Sequence, residues 1–482
     1  VNTETVKEIL ARYGDQATDS LFERSFYSRD LAPVPALLVA PLFRTVPEIV
    51  IRPANAEEVS DIIKTAAKYN LPVTPRAGGS TVYFNSVPIH KGILMDLNLL
   101  KGVVAVDATA LTVTVQAATT WIELEQYLNS KGLASKSFPS STPSATVGGW
   151  FCMMGYGIGS LKYGSLLSQV RSIEVVTPEG KICRLTRDTQ PSLEWFAASE
   201  GTLGIVTQLE VEIRRQTTLK HFLLQFSNPL EMRNKMQAMI KGAEVPFNMH
   251  FTDQECLKGM KALGIAPGNL DSGYLLAVDY EGSEQALGQA EKIIQTMTGK
   301  DQLATLLPPE LAELEWEEKF KAMRLKRGGP SLLGAEIWLP IKNLPEYLAD
   351  VQKMSRSYNV TLFSYGHVVT PEYATVMTTF NADELHTIRY IISLSLVKKL
   401  HDIGYHYGGC PYGVGLWNAP MIGRIRKPSE LKTLKKIKHD LDHQGIMNPG
   451  KVYRAPFILN PFNYALAMDV LAGVRKVFGK GW

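Results

Sequence analysis

Val73-Thr74-Pro75-Arg76-Ala77-Gly78-Gly79-Ser80-Thr81 is the stretch that decides how the first half of the chain is read. The β-branched pair and Pro75 predict a strand that runs into a turn. Nothing bulky stands at the centre of that turn, so its backbone N–H groups are available to face phosphate oxygens. A plain loop would share this composition, and the segment alone does not choose between the two. A second stretch of the same character sharpens the phosphate reading: Pro139-Ser140-Ser141-Thr142-Pro143-Ser144-Ala145-Thr146-Val147-Gly148-Gly149, then Gly155-Tyr156-Gly157-Ile158-Gly159. Its hydroxyls and glycines suit the lining of an extended dinucleotide. Gly155-x-Gly157-x-Gly159 is not a Rossmann fingerprint, because the reading gives it neither a preceding strand nor a following helix. Two further pieces follow, Ala198-Ser199-Glu200-Gly201-Thr202-Leu203-Gly204-Ile205-Val206-Thr207 and Gly445-Ile446-Met447-Asn448-Pro449-Gly450-Lys451.

Outward from these motifs, residues 1–26 read as an amphipathic helical lead-in. Strands are expected at 49–53, 92–97, 111–117, 170–177, 181–185 and 204–214, with helices at 56–69 and 121–131. Residues 138–165 read as mostly loop. Residues 1–215 are therefore one α+β unit. Beyond 219 the texture changes: strands at 222–226, 274–279 and 334–340 alternate with polar helices at 230–242, 284–298, 309–326 and 344–358. That is a second α/β domain, taken as 216–443, with 444–482 as a return to the first domain plus a tail. Residues 384–402 and the basic stretch 427–443 read as helices, the latter with a solvated lysine face.

Of 482 residues, 45% are hydrophobic and 20% charged, which excludes a disordered, collagen-like or coiled-coil chain. The net charge of +4 gives no support to nucleic-acid binding. The 4 cysteines are isolated, so neither an iron–sulfur cluster nor a cysteine zinc site is encoded. The most apolar run, 31–43, is broken by Pro33, Pro35 and Pro41, and no secretory leader is recognisable. The expectation is a cytoplasmic protein without a direct membrane span, peripheral to a membrane only through a partner.

Taken in order, Pro75-Arg76-Ala77-Gly78-Gly79, Thr146-Val147-Gly148-Gly149, Lys162-Tyr163-Gly164, Ser199-Glu200-Gly201-Thr202-Leu203-Gly204 and Gly445 to Lys451 resemble the FAD-linked oxidases of the vanillyl-alcohol-oxidase and p-cresol-methylhydroxylase superfamily. The chain is most similar to the D-lactate dehydrogenase and glycolate oxidase large-subunit branch, over roughly residues 27–455. The resemblance implies an α+β fold: a two-subdomain FAD-binding domain of the p-cresol-methylhydroxylase type with an inserted α/β cap. It implies that Arg76, Ala77, Gly78, Gly79, Ser80 and Thr81, with Pro139, Ser140, Thr146, Gly148 and Gly149, hold the pyrophosphate. Tyr163, Glu200, Gly201, Gly204, Ile205, Val206, Asn448 and Lys451 would line the rest of the flavin. Some members link flavin to a His just after the paired glycines; Ser80 stands there, so the resemblance favours non-covalent FAD.

On the substrate side the chain departs from the family. Gly366-His367 is present, but Ala374 and Pro411-Tyr412 replace further metal ligands, so no catalytic metal is expected. His367 is the candidate base and Arg324 the candidate carboxylate grip. The segment 405–418 is dense in aromatics, and Tyr412 and Asn418 are further candidates at the substrate or flavin. The reading is an FAD-dependent dehydrogenase of a D-2-hydroxy acid such as lactate or glycolate. The alternatives are an aromatic-alcohol or alkylphenol oxidase, an electron-relay subunit of a redox complex, and a flavin-using transferase without net redox. The resemblance implies an iron–sulfur electron-transfer partner. The tail helix at 463–478, with Leu466, Val470, Leu471, Val474 and Phe478 along one stripe, is its expected dock, unless the stripe packs on the FAD domain. Homo-oligomerisation is left open.

Overall fold

The computed structural model describes every residue except 1–2, 35–38, 40, 269, 271, 299–302, 320, 454–455 and 480–482. The chain forms two units. The first comprises Val1–Gly155, Ser165–Gln216 and Gly413–Pro461; the second comprises Tyr156–Gly164, Thr217–Tyr412 and Phe462–Trp482. The return to the first unit therefore comes at Gly413, ahead of the expected residue 444, and the tail joins the second unit rather than the FAD domain.

In the first unit, β1 (Ala17–Thr18), β2 (Ile49–Ile51), β3 (Val73–Arg76) and β4 (Ile93–Asp96) form a sheet in the order β1-β2-β4-β3. The lead-in is not one helix: it spans Thr3–Tyr13 and breaks at Gly14, whose φ of 50° ends the right-handed run. Helix Ala56–Lys68 begins at Asn55, whose side chain accepts from Glu58 N at 2.9 Å. It buries Val59, Ile62, Ile63 and Ala66 against Ile49, Ile51, Ile93 and Met95. A second sheet runs β5 (Val103–Asp107), β6 (Thr112–Gln116), β10 (Ile205–Arg215), β8 (Val170–Val176), β9 (Ile182–Leu185), with β7 (Leu133–Ser135) beside β10.

The stretch read as loop contains helices Val147–Cys152 and Ser160–Tyr163, so a turn of helix does follow Gly159. Glycine is a poor helix former, and tertiary packing overrides it here. A Cβ on Gly148 would stand 2.6 Å from Ala117 Cβ, a closeness only glycine permits.

The second unit is one sheet of eight strands: β14 (Ala304–Leu306), β11 (Thr218–Phe226), β13 (Tyr274–Gly282), β12 (Asn248–Thr252), β16 (Phe363–Val368), β17 (Tyr373–Ala382), β15 (Ser331–Pro340), β18 (Cys410–Pro411), in that order. β12, β16 and β17 go beyond the sequence expectation. In β15, alternate residues Leu333, Ala335, Ile337 and Leu339 are buried, whereas Gly334, Glu336 and Trp338 between them are only half-buried. The sheet thus has one covered face and one partly open, polar face. The expected tail helix forms at Pro461–Phe478, but Leu466, Val470 and Phe478 of the expected stripe lie exposed. The helix is tied down by Asp469, which accepts from Lys398 Nζ at 3.0 Å and Lys399 Nζ at 2.8 Å.

Candidate active site

In the first unit the glycine motifs converge on the end of β3. A Cβ on Gly78 would meet Ser144 O at 2.3 Å, so the 76–81 turn lies directly on the 139–149 loop. A Cβ on Gly201 would meet Pro75 Cγ at 2.4 Å. The C-terminal motif closes the group: Val73 N donates to Ile446 O and Asn448 N to Val73 O, both at 2.8 Å. Lys438, read from sequence as part of a solvated face, donates to Thr202 O at 2.6 Å and Met447 O at 2.8 Å.

The turn is a row of unused donors. The backbone N–H groups of Ala77, Gly78, Gly79, Ser80 and Thr81 have no partner among the described residues. Arg76 lies against the turn: a Cβ on Gly79 would fall 2.6 Å from its Nε, and Gly79 has a φ of 59°. Arg76 Nη1 donates to Arg29 O at 2.5 Å, and burial lowers its pKa. The second loop works differently. Gly148 N donates to Ala117 O at 2.8 Å and Gly149 N to the capping Thr146 Oγ1 at 3.2 Å, so these glycines give close approach rather than donors.

Beneath the motifs lies a buried polar cluster. Lys451 Nζ donates to Asn85 O at 2.9 Å and Asn448 Oδ1 at 2.8 Å, and also to Val87 O. Desolvation pulls its pKa down to about 7 despite Asp30 and Glu200. Glu200 accepts from Gly415 N at 3.0 Å through Oε1. Its Oε2 is sealed and has no partner among the described residues, and burial raises its pKa to about 7. Asn448 Nδ2 donates to Glu200 O at 2.7 Å. Asn418, also in this unit, is buried and donates from Nδ2 to Gly413 O at 2.8 Å.

In the second unit the open face carries His367. Strand register puts His250 directly opposite it, with ring centroids 4.6 Å apart. His367 Nδ1 is sealed and without a partner among the described residues. Burial lowers its pKa to about 4; His250 is lowered well below the usual imidazole range by burial, His367 and Lys321. His250 has no motif signal, and only its strand partner reveals it.

His250 stands opposite Ala277, and a second polar row lies two residues along the strands. Asn248 stands opposite Asp279 and donates to its Oδ2 at 2.7 Å, while Asp279 stands opposite His221. On the other side Thr375 and Trp338 follow His367. Trp338 stacks on Tyr373 at 5.3 Å and meets Tyr156 edge-on at 4.7 Å.

Tyr412 OH accepts from Tyr156 N at 2.8 Å. Within segment 405–418 the chain passes from the second unit to the first between Tyr412 and Gly413. Tyr163 also belongs to the second unit, where its hydroxyl donates to Glu281. Arg324 is 41% exposed and pairs with Glu318 at 3.2 Å. Ala374 stands opposite Val368, and no group of three His, Cys, Asp or Glu among the described residues is arranged to hold a metal.

Residues 47–186 match the FAD binding domain family, and residues 218–452 match the C-terminal domain of FAD linked oxidases. The chain belongs to the FAD-linked oxidases. The glycolate oxidase subunit GlcD of Bacillus subtilis is 24% identical over 470 residues, covering 94% of this chain and 97% of that protein. A mitochondrial D-lactate dehydrogenase (cytochrome) of Arabidopsis thaliana is 24% identical over 427 residues, covering 84% of this chain and 73% of that one. A solved p-cresol methylhydroxylase matches with a TM-score of 0.79 at 14% identity, covering 94% of this chain and 96% of that one. At that identity the likeness shows the fold alone.

FAD is the cofactor of this FAD-linked oxidase, and the first unit fits its pyrophosphate. Five successive unpartnered N–H groups, backed by a buried guanidinium, are what a diphosphate needs. Nothing in the matches indicates a covalent flavin link, and Ser80 supplies no imidazole for one.

Proposed function

We propose that this FAD-linked oxidase is a dehydrogenase of a D-2-hydroxy acid such as lactate or glycolate, passing its electrons to a protein partner. The observation that carries the reading is His367. It is uncharged at neutral pH and has a sealed ring nitrogen without a partner among the described residues, so it is in the form that accepts a hydroxyl proton. Arg324 grips the substrate carboxylate in this reading: Glu318 engages only Nη1, which leaves donors of the guanidinium fork for an anion. Bound FAD supplies the hydride acceptor. The names of the B. subtilis and A. thaliana relatives support the substrate class, and the word subunit in the first supports a partner. A direct membrane span has no support, because no described helix is long and apolar enough to cross a bilayer.

Anaerobic mixing with D-lactate, glycolate and phenolic alcohols, followed by flavin bleaching, tests the proposal. Bleaching by a hydroxy acid is expected; bleaching by a phenol alone transfers the assignment to aromatic alcohols. That second reading has one observation in its favour, the half-buried aromatic group of Tyr156, Trp338 and Tyr373, in which Trp338 stands opposite Thr375, the strand partner of His367. Bleaching by neither class leaves the electron-relay or transferase reading in its place.

A further inference from the structure

Oxidation of a hydroxyl releases a proton that must leave His367, whose Nδ1 is sealed from solvent, at every turnover. His367 and His250 carry no charge at neutral pH, and no described carboxylate hydrogen-bonds to either ring. His250 itself stands opposite Ala277, and the titratable groups continue in the neighbouring row two residues along the strands, where Asn248, Asp279 and His221 stand opposite one another. A cavity of about 10 Å³, the room one water takes, is lined by His250, His367, Asn248 and Asp279 together with Glu315 and Lys319. Asp279 Oδ1 stands 2.6 Å from His221 Nδ1, both side chains being almost fully buried at 4% and 6% exposure. The His221 ring is held flat against Trp316, centroids 4.8 Å apart at 21°. Its other nitrogen, Nε2, points to Glu313 Oε2 at 3.8 Å, and Glu313 is 61% exposed. The series therefore begins at a buried imidazole and ends at a carboxylate in water.

We propose that His250, Asp279, His221 and Glu313 form a proton exit path from His367 to solvent. This rests on the assignment of His367 as the base. The substrate O–H bond breaks and its proton goes to His367, while the C–H electron pair leaves as hydride to the oxidised flavin, giving the keto acid, reduced flavin and one proton. That proton passes through His250 and the cavity to the Asp279–His221 pair. His221 takes a proton at Nδ1 and yields one at Nε2 to Glu313, which gives it to water, so one proton enters and one leaves.

The other charged groups facing the row are engaged elsewhere. Lys321 Nζ donates to Glu315 Oε2 at 2.6 Å, and Lys319 Nζ donates to Trp316 O at 2.8 Å while lying 4.1 Å over that ring. The path residues do not touch substrate in this scheme; they act through His367.

The test uses the flavin-loaded holoenzyme with His221→Gln and Glu313→Gln, the second at an exposed position where folding is not at stake. Turnover in weak buffer is expected to fall about ten-fold in His221→Gln and less in Glu313→Gln, and added imidazole should restore both. A pH-indicator dye should show proton release lagging behind flavin bleaching in the variants and coincident with it in the wild type. Unchanged turnover with coincident release in both variants overturns the path, as does a loss that imidazole does not restore. Failure of every hydroxy acid to bleach the wild type would instead remove the assignment of the base, a separate result read before any variant is made.

Discussion

Gly78→Ala asks whether the crossing of two loops builds the cofactor site. The added Cβ would stand 2.3 Å from Ser144 O, a backbone atom that no rotamer change can move aside. An ordinary contact needs roughly 1 Å more, so the 76–81 turn and the 139–149 loop must part by about that much. Overpacking of this kind costs on the order of 1–3 kcal/mol. Without flavin the loops can separate and relieve part of it; with flavin bound, the donor row must hold its arrangement. The cost therefore falls mainly on binding, and about 2 kcal/mol corresponds to a roughly 30-fold higher Kd for FAD. Titration of apoprotein with FAD, followed by flavin fluorescence quenching, measures it. Gly288→Ala is the control: it lies in helix Glu284–Met297 with nothing within 4 Å of the new Cβ. It should leave the Kd unchanged and add about 0.5–1 kcal/mol of stability. Wild-type FAD affinity in Gly78→Ala would refute the claim that these loops are in contact at the cofactor.

Other outcomes follow from the same geometry. Burial raises the Glu200 pKa to about 7 from an ordinary 4.5, so the folded state holds its proton more tightly than the unfolded chain between those values. The wild type should therefore lose thermal stability relative to Glu200→Gln as pH rises from 4.5 to 7, and a flat or rising difference would contradict the assignment. Arg324→Ala should raise KM for a hydroxy acid about ten-fold, a modest figure because the side chain is 41% exposed, and unchanged kinetics would remove it from the site. Acid precipitation should leave yellow FAD in the supernatant; flavin retained in the pellet would show a covalent link. Phe462, Leu466, Val470 and Val477 of the tail helix are more than half exposed. Leu466→Lys with Val470→Lys should keep turnover with an artificial dye while abolishing reduction of the physiological acceptor; equal loss of both would indicate a folding role instead.

The four glycine motifs were legible because backbone demands leave local marks: Gly78, Gly148 and Gly201 each stand where a Cβ would collide. The amphipathic helix at Ala56–Lys68 was legible through its period, and β6 through the alternation of apolar and polar residues around it. β12, β16 and β17 were not, because a strand with a polar, partly open face scatters His250, His367 and Thr375 through its pattern. The tail helix was legible too, but not what its stripe packs against. Apolar residues at helical spacing declare a face, and Leu466 and Val470 lie on the side turned away from the chain's own packing.

The sequence by itself determined the cofactor only through the resemblance that the motifs carry when taken in order, since each short run of small residues alone also fits a plain loop. Only the tertiary structure decided the partners of His367. His250, Asp279 and His221 come from strands remote in the chain, and antiparallel register pairs His250 with His367 and His221 with Asp279 in two neighbouring rows two residues apart, a relation that no spacing along the chain records.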